Sequence, residues 1–148
     1  MKLSIVTTLY NSCAYIREFH QRVSIEAQKI TEQYEVIFVD DGSPDDSLDV
    51  AIQLSNEDER VKVIELSRNF GHHKAMMTGL SHAKGELVFL IDSDLEEEPE
   101  LLGCFYSEMN RDKNDLDVLY GVQYKRKGGL FEKISGQLFY STLNYLTE

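Results

Sequence analysis

Basic residues are scarce. The 148-residue chain has 15 lysines and arginines against 26 aspartates and glutamates, a formal net charge of -11. That excludes general nucleic-acid binding, which needs a basic face to neutralise phosphates. It leaves room for an anionic ligand bridged by a divalent cation, because such an ion inverts the local sign. Cysteine is also sparse: Cys13 and Cys104 are far apart and lack metal-ligand spacing, which predicts two free thiols in a reducing compartment. No stretch approaches the roughly 20 apolar residues of a membrane span. The N-terminal apolar run, from Leu3, is too short for a signal peptide and reads as a strand. These absences predict a cytoplasmic chain. There is no Gly-x-Gly-x-x-Gly, which disfavours a dinucleotide site. Thr7 to Ser12 contains no glycine, which disfavours the phosphate loop of a nucleotidyltransferase. Repeats, low-complexity tracts and linkers are absent too.

What is present is an alternation. With 42% hydrophobic and 28% charged residues, the composition is that of a globular domain with one core. Strands are predicted at Leu3 to Thr8, Tyr34 to Val39, Arg60 to Leu66 and Glu86 to Ile91, with a fifth at Leu116 to Tyr120. A helix is expected from Cys13 to Thr31, with Ile16, Phe19, Val23, Ala27 and Ile30 at helical spacing. Ser43 and Pro44 are expected to open a second, with Val50, Ile52 and Leu54 as its apolar residues. A third spans Phe70 to Ala83 and ends at Lys84-Gly85, and a fourth runs from Pro99 to about Asn110. Strand–helix alternation with short connections predicts an α/β fold, a mostly parallel sheet flanked by helices. The apolar strands agree, since such strands are covered on both faces.

In open parallel sheets ligands sit beyond the carboxyl ends of the strands. Four polar strand ends are therefore expected to converge: Thr8 to Asn11, Asp40 to Ser43, Ser67 to Asn69 and Asp92 to Asp94. Asp92 and Asp94, two residues apart in an extended segment, point the same way and suit one hard cation, Mg²⁺ or Mn²⁺. Glu96 and Glu97 follow closely; Glu98 and Glu100 read as acids at the positive end of the next helix. Asp40-Asp41 could bind a nucleotide base or simply shape the turn. Tyr10 could stack on a base or pack in the core. Arg68 could reach a phosphate or pair with an acid. His72 and His73, about 100° apart on a helix, cannot easily chelate one ion and read as helix surface or pocket wall.

Together, Ser-Ile-Val-Thr-Thr-Leu-Tyr-Asn, Val-Asp-Asp-Gly-Ser, Leu-Ser-Arg-Asn-Phe-Gly-His and Asp-Ser-Asp-Leu-Glu-Glu-Glu-Pro-Glu resemble family 2 inverting glycosyltransferases of the GT-A fold. Within that family the chain looks most like the branch that moves a sugar from a nucleotide-sugar to a polyprenyl phosphate, such as dolichyl-phosphate mannose synthases. The resemblance covers essentially the whole chain. It implies that Thr8 and Tyr10 flank the base, that Asp41 binds base or ribose, and that Arg68 and Ser93 contribute to the UDP- or GDP-sugar site. It makes Asp92 and Asp94 the catalytic metal motif, with Glu96 standing where a glutamine is usual. Ser12 replaces a common glutamate, and Gln123 a usual arginine whose charge Lys125, Arg126 and Lys127 could supply.

The implied acceptor is a polyprenyl phosphate held by Lys125, Arg126 and Lys127; a solvated basic turn is the competing reading. A transferase acting on a sugar hydroxyl also remains open. On this reading residues 1–122 are the nucleotide-sugar-binding core and 123–148 the start of an acceptor side. Phe131, Ile134, Leu138, Phe139, Leu143 and Leu146 share one broad face of a C-terminal amphipathic helix. It would lie on the cytoplasmic face of a membrane, or pack on its own domain or on a partner protomer in a homo-oligomer. Relatives of this branch continue further, so the chain reads as an N-terminal portion that binds donor and metal; a catalytically silent interaction module is the alternative.

Overall fold

The computed structural model describes residues 1–111 and 116–122. Residues 1–111 belong to one compact unit and residues 116–122 to a second. In the first, strands β1 (Leu3–Leu9), β2 (Tyr34–Asp40), β3 (Val61–Glu65) and β4 (Leu87–Leu90) alternate with helices α1 (Ile16–Ile30), α2 (Ser47–Glu57), α3 (His72–His82) and α4 (Leu101–Arg111). The sheet is parallel throughout, in the order β3-β2-β1-β4. This is the α/β architecture expected from the alternation.

Strand alternation divides the core. Leu3, Ile5 and Leu9 of β1 and Val36 and Phe38 of β2 pack with Ile16, Phe19, Val23 and Leu102, placing α1, α2 and α4 on one face. Val6, Ile37 and Val39 point the other way, onto Ala75 of α3. Gly79 permits that approach: a Cβ there would lie 2.4 Å from Val6 Cγ1. After β3 the chain crosses this second face through α3 and enters the sheet beyond β1. The crevice beside the end of β1 is thus the topological switch point where ligands bind in such sheets.

Several expectations need correction. The second helix begins at Ser47, not at Ser43-Pro44. Asp40 Oδ2 takes the Gly42 and Ser43 N–H groups and Asp45 takes that of Ser47, which holds 42–46 in a turn. Ile52 is 42% exposed, and Ala51 and Leu54 supply the buried face. The first helix starts at Ile16 rather than Cys13, and the fourth at Leu101 rather than Pro99. β4 is not covered on both faces: Phe89 is buried, but Val88 and Leu90 are 42% and 41% exposed, because α3 lies over β1 and β2. Residues 116–122 contain no strand: Leu116, Val118, Tyr120 and Val122 are exposed and join no ladder among the described residues. No helix among the described residues is long and apolar enough to cross a membrane. The basic run Lys125 to Lys127 and the amphipathic helix lie outside the described residues.

Candidate functional site

Three of the four expected strand ends meet in one cleft. Thr8, Leu9 and Tyr10 at the end of β1, Asp41 after β2, and Asn69 and His72 at the entry to α3 line a cavity of about 110 Å³. That is well below the several hundred Å³ of a typical small-molecule site, so it suits one moiety of a ligand rather than a whole nucleotide-sugar. Tyr10 is 51% exposed, with its ring available to stack on a planar group.

Asp41 holds the cleft together. It is only 3% exposed, and its two oxygens accept the N–H groups of Phe70 (2.7 Å) and Gly71 (3.0 Å). Each carboxylate oxygen has a further lone pair, so Asp41 can tie the β3–α3 connection and still accept from a ligand. Asp40 is turned inward: its Oδ2 shapes the turn, while Oδ1 is buried without a partner among the described residues. Burial pushes its carboxyl above the usual range, despite hydrogen bonds from Ser43 and Gly42. Arg68 is not in the cleft. It forms no ion pair among the described residues, and its guanidinium stacks 4.4 Å from the centre of the Phe70 ring.

The fourth strand end joins through His72. Its Nδ1 lies 3.1 Å from Thr8 Oγ1 and its Nε2 3.7 Å from Asp92 Oδ1. His72 is therefore the pocket wall suggested by the sequence. The acidic run has the exposure pattern expected of it, with Ile91 and Ser93 buried and Asp92, Asp94 and Glu96 exposed, but it is not extended: β4 ends at Leu90, and Ser93 and Asp94 lie in a turn. Leu95 follows with φ +62°, and Asp94 Oδ1 accepts the Glu96 N–H. Ser93 faces inward and donates its hydroxyl proton to the Thr8 carbonyl at 3.0 Å, fixing the acidic run to β1.

These acids feel one another. Burial raises the Glu97 carboxyl above its ordinary value, and repulsion from Asp92, Asp94 and Glu96 raises it further. Such a group favours a cation. Among the described residues no group of three or more His, Cys, Asp or Glu side chains is placed to hold a metal ion. Mg²⁺ and Mn²⁺ commonly take only one or two carboxylates and complete their shell with phosphate and water, so a pair of carboxylates is a donor set they could use. Oxygen-only donors fit the same ions. Asp92 and Asp94, with Glu96 beside them, are the residues that could hold one.

Asn69 and Leu9 line the cleft as members of the strand ends expected to converge, although neither had a role of its own in the sequence. Their signal was positional: both stand at strand ends that the topology brings together.

The chain matches the Glycosyl transferase family 2 model over residues 4–147. It is 54% identical over 140 residues to a Mycobacterium tuberculosis protein classed among the glycosyltransferases, covering 95% of this chain and 40% of that one. It is 30% identical over 138 residues to the undecaprenyl-phosphate 4-deoxy-4-formamido-L-arabinose transferase of Salmonella choleraesuis, covering 93% of this chain and 41% of that one. Among solved structures it resembles S. aureus TarS in complex with UDP, with TM-score 0.59 and 30% identity over 75% of this chain and 32% of that one. The chain thus spans about two-fifths of the length of these curated relatives. With the matched residues running almost from end to end and the GT-A-like sheet beneath them, the chain belongs to glycosyl transferase family 2.

Proposed function

We propose that the chain forms the donor side of an enzyme that transfers a sugar, with inversion, from a UDP- or GDP-sugar to a polyprenyl phosphate, with Mg²⁺ or Mn²⁺. The observation that carries this reading is the adjacency of the Tyr10 cleft to the Asp92–Asp94 run, bridged by His72. A base seated in the cleft would leave its diphosphate near the acids. The UDP held by TarS supports a uridine donor, and the Salmonella relative's name supports a lipid-phosphate acceptor for cell-envelope glycan synthesis.

In this reading Thr8 and Tyr10 flank the base, and Asp41 accepts from base or ribose through its remaining lone pairs. Ser93 serves the donor site by holding the acidic run against β1, and Arg68 reaches a phosphate only by leaving Phe70. Asp92 and Asp94, with Glu96, hold the cation. A bound divalent ion supplies charge to offset the departing nucleoside diphosphate. The protein's own contribution is positioning and charge placement. No general base is needed, because a phosphate monoester with a second pKa of about 6 is already anionic at neutral pH. Lys125, Arg126 and Lys127, beyond the described residues, would receive that phosphate at a membrane surface.

Isothermal titration with UDP- and GDP-sugars, with and without Mn²⁺, tests the donor site. Binding that requires Mn²⁺ and is lost in Asp94→Ala is expected. Product formation by the intact protein from donor and a short polyprenyl phosphate tests the acceptor.

A further inference from the structure

One cluster beside the cleft has no role in the reading above. Three consecutive backbone N–H groups of the β1–α1 connection donate to two side chains of the β2–α2 connection and one from the first residue of α2. Asn11 donates to Ser43 Oγ at 2.8 Å, Ser12 to Ser47 Oγ at 2.9 Å, and Cys13 to Asp45 Oδ2 at 3.1 Å. Asp45 organises all three. Its Oδ1 accepts both serine hydroxyls at 2.5 Å, and also the Ser47 N–H. A serine hydroxyl has one proton. Both are spent on Asp45, so each serine oxygen is left as an acceptor for the opposite loop.

The clamped segment is the one that carries Tyr10. Ser12 is 6% exposed, and its Oγ both accepts from the Tyr10 N–H (3.2 Å) and donates to the Tyr10 carbonyl (3.3 Å). Asn11 holds a left-handed φ of +54°, a conformation that this residue type tolerates but does not choose by default. The clamp sets that backbone and so sets where the exposed Tyr10 ring stands over the cleft. The charge agrees with the geometry. Burial opposes ionisation of Asp45, but the Ser43, Ser47 and Cys13 donors hold its carboxyl far below the usual range.

We infer that Asp45, acting through Ser43 and Ser47, is a positioning residue that preorganises the Tyr10–Cys13 loop for the nucleoside of the donor. The inference rests on the cleft being the nucleoside site. Asp45 touches no substrate. It reduces the conformational freedom lost when a base is bound, the usual way in which rigidity raises affinity. Freeing about one residue of backbone costs roughly 1.4 kcal/mol on binding, or about tenfold in affinity.

The test uses the intact protein and three probes with Mn²⁺: UDP, GDP and inorganic diphosphate. Asp45→Asn is expected to raise the Kd of the nucleoside diphosphate that the unaltered protein binds by about tenfold, and to leave the diphosphate Kd unchanged. Ser43→Ala is expected to follow it and Ser43→Thr, which keeps the hydroxyl, to bind normally. Should Asp45→Asn not fold, the two Ser43 variants carry the test alone, since Ser43 lies outside α2 and its hydroxyl bonds the Asn11 N–H and Asp45. Equal nucleotide affinity in Ser43→Ala and the unaltered protein overturns the inference while leaving the donor site standing. Parallel loss of nucleotide and diphosphate binding also overturns it, because a general collapse of the site does that. Failure of the unaltered protein to bind either nucleotide overturns the donor-site reading and this inference together.

Discussion

A single methyl group at Gly42 tests how the cleft is built. Gly42 follows Asp41 and has φ +64°. A Cβ there would lie 2.6 Å from Asn69 N and 2.7 Å from the Arg68 carbonyl carbon, both backbone atoms. Two costs follow for Gly42→Ala. The left-handed conformation costs an alanine about 1 kcal/mol. Overpacking against atoms that cannot rotate away adds about 1–3 kcal/mol. Backing the Arg68–Asn69 segment off relieves the clash but stretches the Phe70 and Gly71 hydrogen bonds to Asp41, and such bonds to a charged group are worth about 1.5–3 kcal/mol each. The expected loss is therefore about 2–4 kcal/mol. Gly71→Ala is the control. Its φ is +96° and its ψ 144°, a backbone region that strongly favours glycine, but nothing lies within 4 Å of its Cβ, so it carries strain alone, about 1–3 kcal/mol. Urea unfolding followed by far-ultraviolet circular dichroism measures both, since the chain has no tryptophan to report by fluorescence. A Gly42→Ala protein within about 0.5 kcal/mol of the unaltered one, the usual range for a neutral surface change, would refute this account of the cleft.

Two further predictions concern titration. Glu35 is fully buried; burial pushes its carboxyl up, but hydrogen bonds from Lys62, Ser4 and the Lys84 N–H outweigh this and hold it below the ordinary value. A depressed carboxyl stabilises the fold above its unfolded pKa of about 4.3 and loses that contribution as pH falls through the folded value. Glu35→Gln should therefore cost about 2–4 kcal/mol at pH 7, with the deficit shrinking below about pH 4; a deficit constant across that range in denaturation curves would count against the network. Cys13 is raised above the ordinary thiol value chiefly by its hydrogen bond to Asp45. In a Cys104→Ser background, Asp45→Asn should give more Cys13 thiolate and faster alkylation at pH 8, read by mass spectrometry; an unchanged rate would contradict the contact.

The four strands of the sheet were legible because their apolar runs are continuous and short; the fifth expected at Leu116 to Tyr120 is not a strand. Observed and expected ends differ by at most a residue or so at Leu9, Asp40, Val61, Glu65, Leu87 and Leu90. Helix starts were less legible. Asp, Ser and Pro mark a helix start in sequence, yet the same side chains can hold a turn, as Asp40 and Asp45 do before Ser47. The exposure of Val88 and Leu90 was not legible at all. Whether a strand face is covered depends on where α3 lands, and no local pattern encodes that. For the site, the exposure of Asp92 and Asp94 matched their alternating spacing, although Ser93 and Asp94 lie in a turn. The employment of Asp41 was not legible, because the N–H groups that occupy it are 29 and 30 residues away. Arg68 reads as a phosphate ligand in isolation, but the neighbouring Phe70 ring offers its guanidinium a flat partner.

The central claim is that the Tyr10 cleft and the Asp92–Asp94 run form one metal-dependent nucleotide-sugar site. Isothermal titration of UDP-sugar and GDP-sugar into the intact protein, with Mn²⁺ and with chelator, tests it most directly. The account predicts binding of one donor with Mn²⁺, a fall of at least about tenfold with chelator, and the same fall in Asp94→Ala with Mn²⁺ present, as expected for losing a cation's ligand. Donor binding of equal strength in Asp94→Ala and the unaltered protein would contradict it.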